Sequence, residues 1–182
     1  MVLTHKDIQK IVKNLSQREL ENPEGTTVDL RLGEIHKITG GEAFIEADGP
    51  AGQGKRSMFE TTLVAAYKGG DDEQDKVTIN PGEYYLVKTV ESIETPLDVL
   101  SDFRTRSTLF RSGLILVTSV GSPGYKGELV FGLHHAGPLP VTLQMGARIC
   151  TAAFYRIEGT GVEYRGQNQG GRVTSAGVEQ QV

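Results

Sequence analysis

The chain has 182 residues, with 19 basic and 23 acidic side chains and a formal net charge of −4. This length suits one domain with a full core, and the lack of a basic excess argues against bulk binding of nucleic acid. No long apolar run predicts a transmembrane helix, and no N-terminal stretch resembles a secretion signal, so we expect a cytoplasmic protein with no membrane partner. Cys150 is the one cysteine, which excludes an internal disulfide and a cysteine-rich zinc site.

The N-terminal segment, residues 4–15, has the apolar spacing of a helix. Its apolar residues follow the i, i+3, i+4, i+7 pattern of one helix face: Ile8, Ile11, Val12 and Leu15. Thr4 can cap this helix, with Asp7 as the acid of a capping box. We expect one short helix that lies on the edge of a sheet.

The next three segments differ in pattern. Residues 26–33 alternate apolar and polar side chains and predict a half-buried strand, with Val28, Leu30 and Leu32 facing inward. Residues 39–60 contain many glycines and few apolar residues, which predicts a loop or a loose hairpin. Residues 69–76 are polar and predict a solvated turn. The ligand spacing of an acidic calcium-binding loop is absent from this segment, so we expect no metal site there.

From residue 77 onward the pattern indicates β-structure. The strand candidates are Val77–Ile79, Tyr84–Thr89, Leu114–Thr118, Glu128–His134, Pro140–Leu143 and Arg148–Ile157. Residues 105–112 interrupt this pattern and predict one helical turn that ends at Gly113, a suitable residue for the position after a helix. With 23 glycines in the whole chain, these closely spaced strands favour an antiparallel sandwich or a barrel-like fold.

The C-terminal segment is poor in core-forming residues. We therefore divide the chain into a β domain, residues 1–158, and a flexible tail, residues 159–182. The tail is either disordered or becomes ordered when it closes over a ligand.

Two segments offer phosphate-binding chemistry. Residues 106–111 place Arg106 and Arg111 around two hydroxyls at a helical turn, which is suited to a polyphosphate; the alternative is a solvated helix end with hydroxyl caps. The tail from Tyr164 to Arg172 combines a phenol, amides and arginines. These groups can cover a nucleotide or belong to a plain disordered terminus. The residues alone leave both pairs of alternatives open.

The order of these segments resembles the dCTP deaminase branch of the dCTP deaminase/dUTPase superfamily. The matching stretches are the strand Thr27–Gly33 (T-V-D-x-R-L-G), Arg106–Leu114 (R-S-S-L-x-R-x-G-L), the hairpin Ser122–Gly127 (D-P-G-[FWY]-x-G), Pro140–Ile149 (P-I-x-L-x-P-G-x-x-I) and Tyr164–Gln167 (Y-[RQ]-x-Q). They span most of the chain in the family's order, and residues 39–76 match poorly.

The resemblance implies a homotrimer of distorted β-barrels or jelly rolls, with a short N-terminal helix and active sites at the subunit interfaces. It implies deamination of dCTP to dUTP without zinc, with Mg²⁺ bound through the triphosphate. By position, Ser107 and Arg111 would place water and phosphate, and the nucleotide contacts would be Arg106, Ser107, Thr108, Arg111, Tyr164 and Gln167. The sequence also lacks the H-x-E and P-C-x-x-C motifs of zinc deaminases.

The sequence departs from the family where the chemistry is expected. Gly132 stands at the position of the catalytic glutamate, and Ser122 stands at that of the hairpin aspartate. His134 shares a strand face with Gly132 and is a candidate replacement base, although an ordinary structural histidine is the alternative. Glu128 lies farther along the strand, unless a bulge at Gly132 shifts the register.

Three hypotheses follow. The first is an enzyme, a dCTP deaminase with Ser107, Arg111 and His134 in its catalytic site. The second is a nucleotide-binding trimer that has lost the acid–base pair and is regulatory or a pseudoenzyme. The third is a dUTP pyrophosphatase or a related nucleotide hydrolase. All three bind a pyrimidine deoxynucleoside triphosphate.

Overall fold

The computed structural model describes residues 1–50, 52–70, 73–175 and 177–182. The helices of this described part are α1 (His5–Ile11), α2 (Gln17–Glu21) and α3 (Ser107–Arg111). Its strands are β1 (Val12–Lys13), β2 (Val28–Gly40), β3 (Phe44–Ile45), β4 (Lys55–Ser57), β5 (Glu60–Ala66), β6 (Lys76–Ile79), β7 (Tyr84–Glu94), β8 (Val99–Thr105), β9 (Leu114–Val117), β10 (Lys126–His135), β11 (Val141–Gln144), β12 (Arg148–Arg156) and β13 (Glu179–Gln180). No helix among the described residues is long and apolar enough to cross a bilayer.

An antiparallel sheet of eight strands forms the body of the protein. Six strands follow the order β8-β12-β2-β7-β10-β9, while β1 pairs with β7 and β5 pairs with β2. The two outer strands approach each other, because Ser101 and Gly121 form a bridge. The Thr105 hydroxyl also bonds both backbone groups of Leu116, at 3.0 and 3.3 Å. The sheet is thus a nearly closed barrel, and the predicted mainly β, barrel-like fold is confirmed.

Strand alternation builds the core. Val28, Leu30 and Leu32 of β2 are at most 1% exposed, as their period-two spacing predicts. Ile149 and Phe154 of β12 are fully buried beside them. The predicted helical turn is also present as α3, and Gly113 follows it with a φ of +82°.

The N-terminal helix is shorter than predicted. It ends at Ile11, since Val12 and Lys13 adopt extended backbone and pair with β7. Thr4 is the residue before its first turn, but its hydroxyl donates to the Asp7 carboxylate at 2.8 Å instead of accepting from the backbone. Sheet pairing outweighs helix propensity at this edge.

Four of the described strands were not predicted as strands, namely β1, β5, β8 and β13. Part of the 39–60 segment forms a small sheet of its own. In that sheet β3 pairs with β4, and β13 of the tail pairs with the other edge of β4. The hairpin prediction for this segment is therefore correct. The predicted turn at 69–76 includes Asp71 and Asp72, which lie outside the described residues.

Candidate functional site

A cavity of about 280 Å³ opens between β10, the hairpin before it and the tail, and is called the hairpin cavity below. Its wall includes apolar side chains of Met58, Leu86, Phe103, Val120, Leu129, Phe131 and Val173. Ser122, Asn168 and Arg172 add polar groups, and Gly132 lines the strand side. An apolar concave space with a few polar groups is the usual form of a small-molecule site.

The hairpin is held by the glycine and tyrosine that the sequence places there. Gly124 has a φ of +80°, which a tight turn favours, and its amide donates to the Thr95 carbonyl at 2.9 Å. The Tyr125 hydroxyl donates to the Glu128 carbonyl, and burial raises the pKa of Tyr125 to about 12. The turn is thus a rigid wall of the cavity.

Gly132 faces a tyrosine of the neighbouring strand. A Cβ atom at residue 132 would lie 2.7 Å from the ring carbon that carries the Tyr84 hydroxyl, and nearer still to the hydroxyl oxygen. Val117 of β9 would lie 3.2 Å away on the other side. The Tyr84 phenol therefore fills the space from which a glutamate side chain would extend.

The two residues considered as replacements for that glutamate lie outside the hairpin cavity. The half-buried His134 ring is 6.4 Å from the Tyr84 ring, centroid to centroid, and is not among the lining residues of the cavity. The bulge considered at Gly132 is not where the irregularity of β10 lies: Gly132 pairs in regular register with Leu86, and the register shift falls between Glu128 and Val130. It does not bring Glu128 into the cavity, because Glu128 lines a separate groove with Lys88.

Helix α3 carries four predicted nucleotide contacts and lies away from the hairpin cavity. Arg106 forms an ion pair with Asp29 at 3.1 Å. Ser107 lines a second cavity, of about 320 Å³, together with Arg106. Thr108 and Arg111 are exposed. Within one chain, these residues are therefore not brought together with the residues of the hairpin and tail.

The tail lies against the hairpin. The Tyr164 amide donates to the Pro123 carbonyl at 2.8 Å, and its ring meets Tyr125 edge-on at 5.3 Å. The Gln167 side-chain oxygen accepts a bond from Arg56 at 2.9 Å. Tyr164 thus lines the cavity, whereas Gln167 is not among the lining residues. Closure of the tail over a nucleotide stays a prediction.

Two residues near the tail and Gly132 were not singled out from the sequence, Tyr84 and Arg56, whereas Asn168 and Arg172 of the cavity wall belong to the predicted tail segment. Tyr84 meets Gly132 only through the register of β7 and β10, in which Gly132 pairs with Leu86. Arg56 reaches the tail only through the pairing of β4 with β13. No local pattern marks either residue, because strand register between distant segments is a tertiary property.

A model of the dCTP deaminase-like family matches residues 2–157 of the chain. This match covers most of the sequence and includes the barrel, α3 and the hairpin. The chain therefore belongs to the dCTP deaminase-like family.

Curated relatives carry two kinds of name. A dUMP-forming dCTP deaminase of Dictyoglomus turgidum is 29% identical over 167 residues, covering 86% of this chain and 81% of the relative. A dCTP deaminase of Pyrococcus furiosus is 41% identical over 118 residues, covering 64% of this chain and 72% of the relative. A probable deoxyuridine 5′-triphosphate nucleotidohydrolase of Methanothermobacter thermautotrophicus is 32% identical over 151 residues, covering 83% and 89%.

A solved structure shares the fold. The 2′-deoxycytidine 5′-triphosphate deaminase of Agrobacterium tumefaciens superposes with a TM-score of 0.60 at 16% identity, covering 84% of this chain and 48% of that chain. The present chain thus spans about half the length of that protein. At this identity the likeness concerns the barrel only.

Proposed function

We propose that this protein binds a pyrimidine deoxynucleoside triphosphate and does so without the family's deamination step. The observation that carries the proposal is Gly132 itself, a residue without a carboxylate, with the Tyr84 phenol lying where a side chain at this position would begin. Loss of a general base typically costs on the order of 10²–10⁴-fold in rate. Binding requires no such group.

In this proposal the hairpin cavity holds the base. Its apolar wall shields the ring, while Asn168 and Ser122 supply polar groups that can orient the ring edge. Mg²⁺ accompanies the triphosphate as substrate-bound metal. The described residues that line the cavity include no carboxylate, so phosphate oxygens and water would hold the ion.

The phosphate-binding half of the site would come from a second copy of the chain. Arg111 and Thr108 are exposed, and both lie outside the hairpin cavity. A homotrimer that places α3 of one chain at the hairpin of the next would join the two halves. Light scattering of the purified protein tests this, with about three chains expected; a monomer would contradict a shared site.

Deamination of dCTP is the second candidate, favoured by the names of the Dictyoglomus and Pyrococcus relatives. It requires a group that shuttles protons, and His134 is the replacement that the sequence offers. A His134→Ala variant that retains full activity would exclude that role. Hydrolysis of dUTP, the reaction in the name of the Methanothermobacter relative, needs a carboxylate near the α-phosphate, where the hairpin has Ser122.

Calorimetric titration with dCTP, dUTP and dTTP in the presence of Mg²⁺ measures binding. Analysis of the nucleotides after incubation with the protein shows whether they have been deaminated or hydrolysed. We expect binding of at least one nucleotide without deamination or hydrolysis. Formation of dUTP or dUMP from dCTP would establish deamination instead, and dUMP with pyrophosphate from dUTP would establish the hydrolase. Absence of binding to all three would reject nucleotide binding.

Arg111→Ala tests the contribution of α3. We expect this change to weaken triphosphate binding by about 2 kcal/mol, as for a lost charge-assisted contact. Arg104→Ala is the matched control, because Arg104 is also exposed but pairs with Asp102. Equal affinities for the two variants would refute the role assigned to Arg111.

A further inference from the structure

A carboxylate of the C-terminal strand lies between two arginines beside the hairpin cavity. Arg172 donates from its two terminal nitrogens to the two oxygens of Glu179, at 2.7 Å each. Arg56 donates to one of the same oxygens at 2.9 Å. The Glu179 side chain is 17% exposed. Two guanidinium groups thus face one carboxylate, which leaves one positive charge in excess.

This cluster borders the hairpin cavity through Arg172, whereas Arg56 lines a separate apolar pocket. Arg172 lines the hairpin cavity, and its buried Nε atom has no hydrogen-bond partner among the described residues. Arg56 also donates to Gln167, one of the predicted nucleotide contacts. An unpaired buried N–H beside a cavity costs stability unless a ligand satisfies it. Arg172 thus lies in the wall of the cavity, and Arg56 is joined to it through the shared Glu179 carboxylate.

We propose that Arg56 and Arg172 form a binding site for a phosphate group, and that Glu179 occupies this site as a competing carboxylate in the free protein. The inference rests on the proposed nucleotide binding and adds to it a site formed by β4 and the C-terminal tail. An arginine fork presents parallel N–H groups that fit a carboxylate and a phosphate alike. A phosphate carries more charge and more acceptor oxygens than the carboxylate that it would replace.

The strand that carries Glu179 is held by few bonds. Strand β13 has two residues and pairs with Lys55 and Arg56 of β4. Gln181 adds two bonds, from its backbone N–H to the Gly54 carbonyl at 2.9 Å and from its side-chain amide to the Glu46 carbonyl at 2.6 Å. A short peripheral strand of this kind opens at low free energy. A phosphate that displaces Glu179 would therefore release residues 177–182 while the barrel stays folded.

Inorganic tripolyphosphate is the probe for this site, because it needs no base pocket. We expect Glu179→Gln to bind tripolyphosphate on the order of tenfold more tightly than the unchanged protein, since the site is no longer occupied by a charged competitor. Glu158→Gln is the matched control, because it removes the same charge from an exposed position. Equal affinities for the two variants would overturn the proposal, as would a gain that survives the added changes Arg56→Gln and Arg172→Gln.

Hydrogen exchange of the unchanged protein provides a measurement that does not depend on how the variants fold. Tripolyphosphate should raise exchange at residues 178–182 and leave β2 and β7 protected; no change at the C-terminal strand would overturn the displacement.

Titration with dCTP, dUTP and dTTP separates this inference from the proposed function. Tighter tripolyphosphate binding by Glu179→Gln without binding of any of the three would keep the anion site and reject nucleotide binding. Nucleotide binding, together with unchanged affinities of Glu179→Gln for tripolyphosphate and for the nucleotides, would keep the proposed function and reject the anion site.

Discussion

Strands β2 and β10 both pair with β7, and each contains a glycine at a close approach to that strand. At Gly33 of β2 a Cβ atom would lie 2.7 Å from the backbone carbonyl carbon and oxygen of Thr89. At Gly132 of β10 the nearest atoms belong to the end of the Tyr84 side chain. The backbone of a paired strand shifts only at a large cost in stability, whereas an exposed side chain can rotate away at a small one. The fold therefore requires the first glycine, whereas the second lines the hairpin cavity.

Charged residues divide between the two regions in the same way. Around β2 they satisfy one another: Asp29 accepts from Arg148 at 2.9 Å and pairs with Arg106, and the buried Glu91 accepts from Arg31 at 2.6 Å. In the hairpin cavity Arg172 keeps one buried donor without a partner among the described residues. Arg106, which matches a family motif, thus forms an ion pair within the barrel. Arg172, which lines the cavity, has a buried N–H that is not paired among the described residues.

The largest expected effect is that of Gly33→Ala. We expect a loss of about 2–3 kcal/mol in the free energy of unfolding, because the added methyl group must displace the backbone of β7. Denaturant unfolding measures this. Gly49→Ala is the control, since open space surrounds Gly49 and its change should stay within about 0.5 kcal/mol. Equal losses in the free energy of unfolding for the two variants would contradict the structural role assigned to Gly33.

Gly132→Glu should cost less, about 1–2 kcal/mol, because the 41% exposed Tyr84 can swing away. We expect the double variant with Tyr84→Ala to recover most of that loss, as measured by thermal unfolding. If the double variant is no more stable than Gly132→Glu alone, the phenol is not what fills the position.

Acid should release the C-terminal strand only at very low pH. The hydrogen bonds from Arg172, with Arg56 adding to them, lower the pKa of Glu179 from 4.5 to about 2. The contribution of the carboxylate is therefore complete above pH 4.5 and is lost as the pH falls through about 2. The NMR titration of the Glu179 carboxyl carbon checks this. A midpoint near the ordinary value would mean that the arginines do not hold the carboxylate.

The smallest expected effect is the reaction of Cys150 with a thiol reagent. This residue is buried in β12 opposite Leu30 of β2, and burial raises its pKa to about 12. Since the thiolate is the reactive form, we expect almost no reaction at pH 8 until the chain unfolds. Gly33→Ala should accelerate the reaction more than Gly132→Glu does. Equal acceleration would mean that the two glycines support one common region.

Regular alternation of apolar and polar residues made much of the barrel predictable. Strands β5 and β8 were not predicted because they lack this alternation. In β5 the exposed Leu63 and Val64 are adjacent, so no inward face stands out. In β8 the buried position between Val99 and Phe103 is Ser101, whose hydroxyl donates to the Gly121 carbonyl at 3.2 Å. A polar residue that finds its partner across the barrel looks like a loop residue in the sequence.

The sequence by itself determined the class of fold and the family, because these depend on residue order and on local period. Only the tertiary structure decided that Tyr84 stands beside Gly132, that Asp29 engages Arg106, and that Glu179 lies between two arginines. Each of these contacts joins segments far apart in the chain. Strand register, rather than any local propensity, brings such segments together.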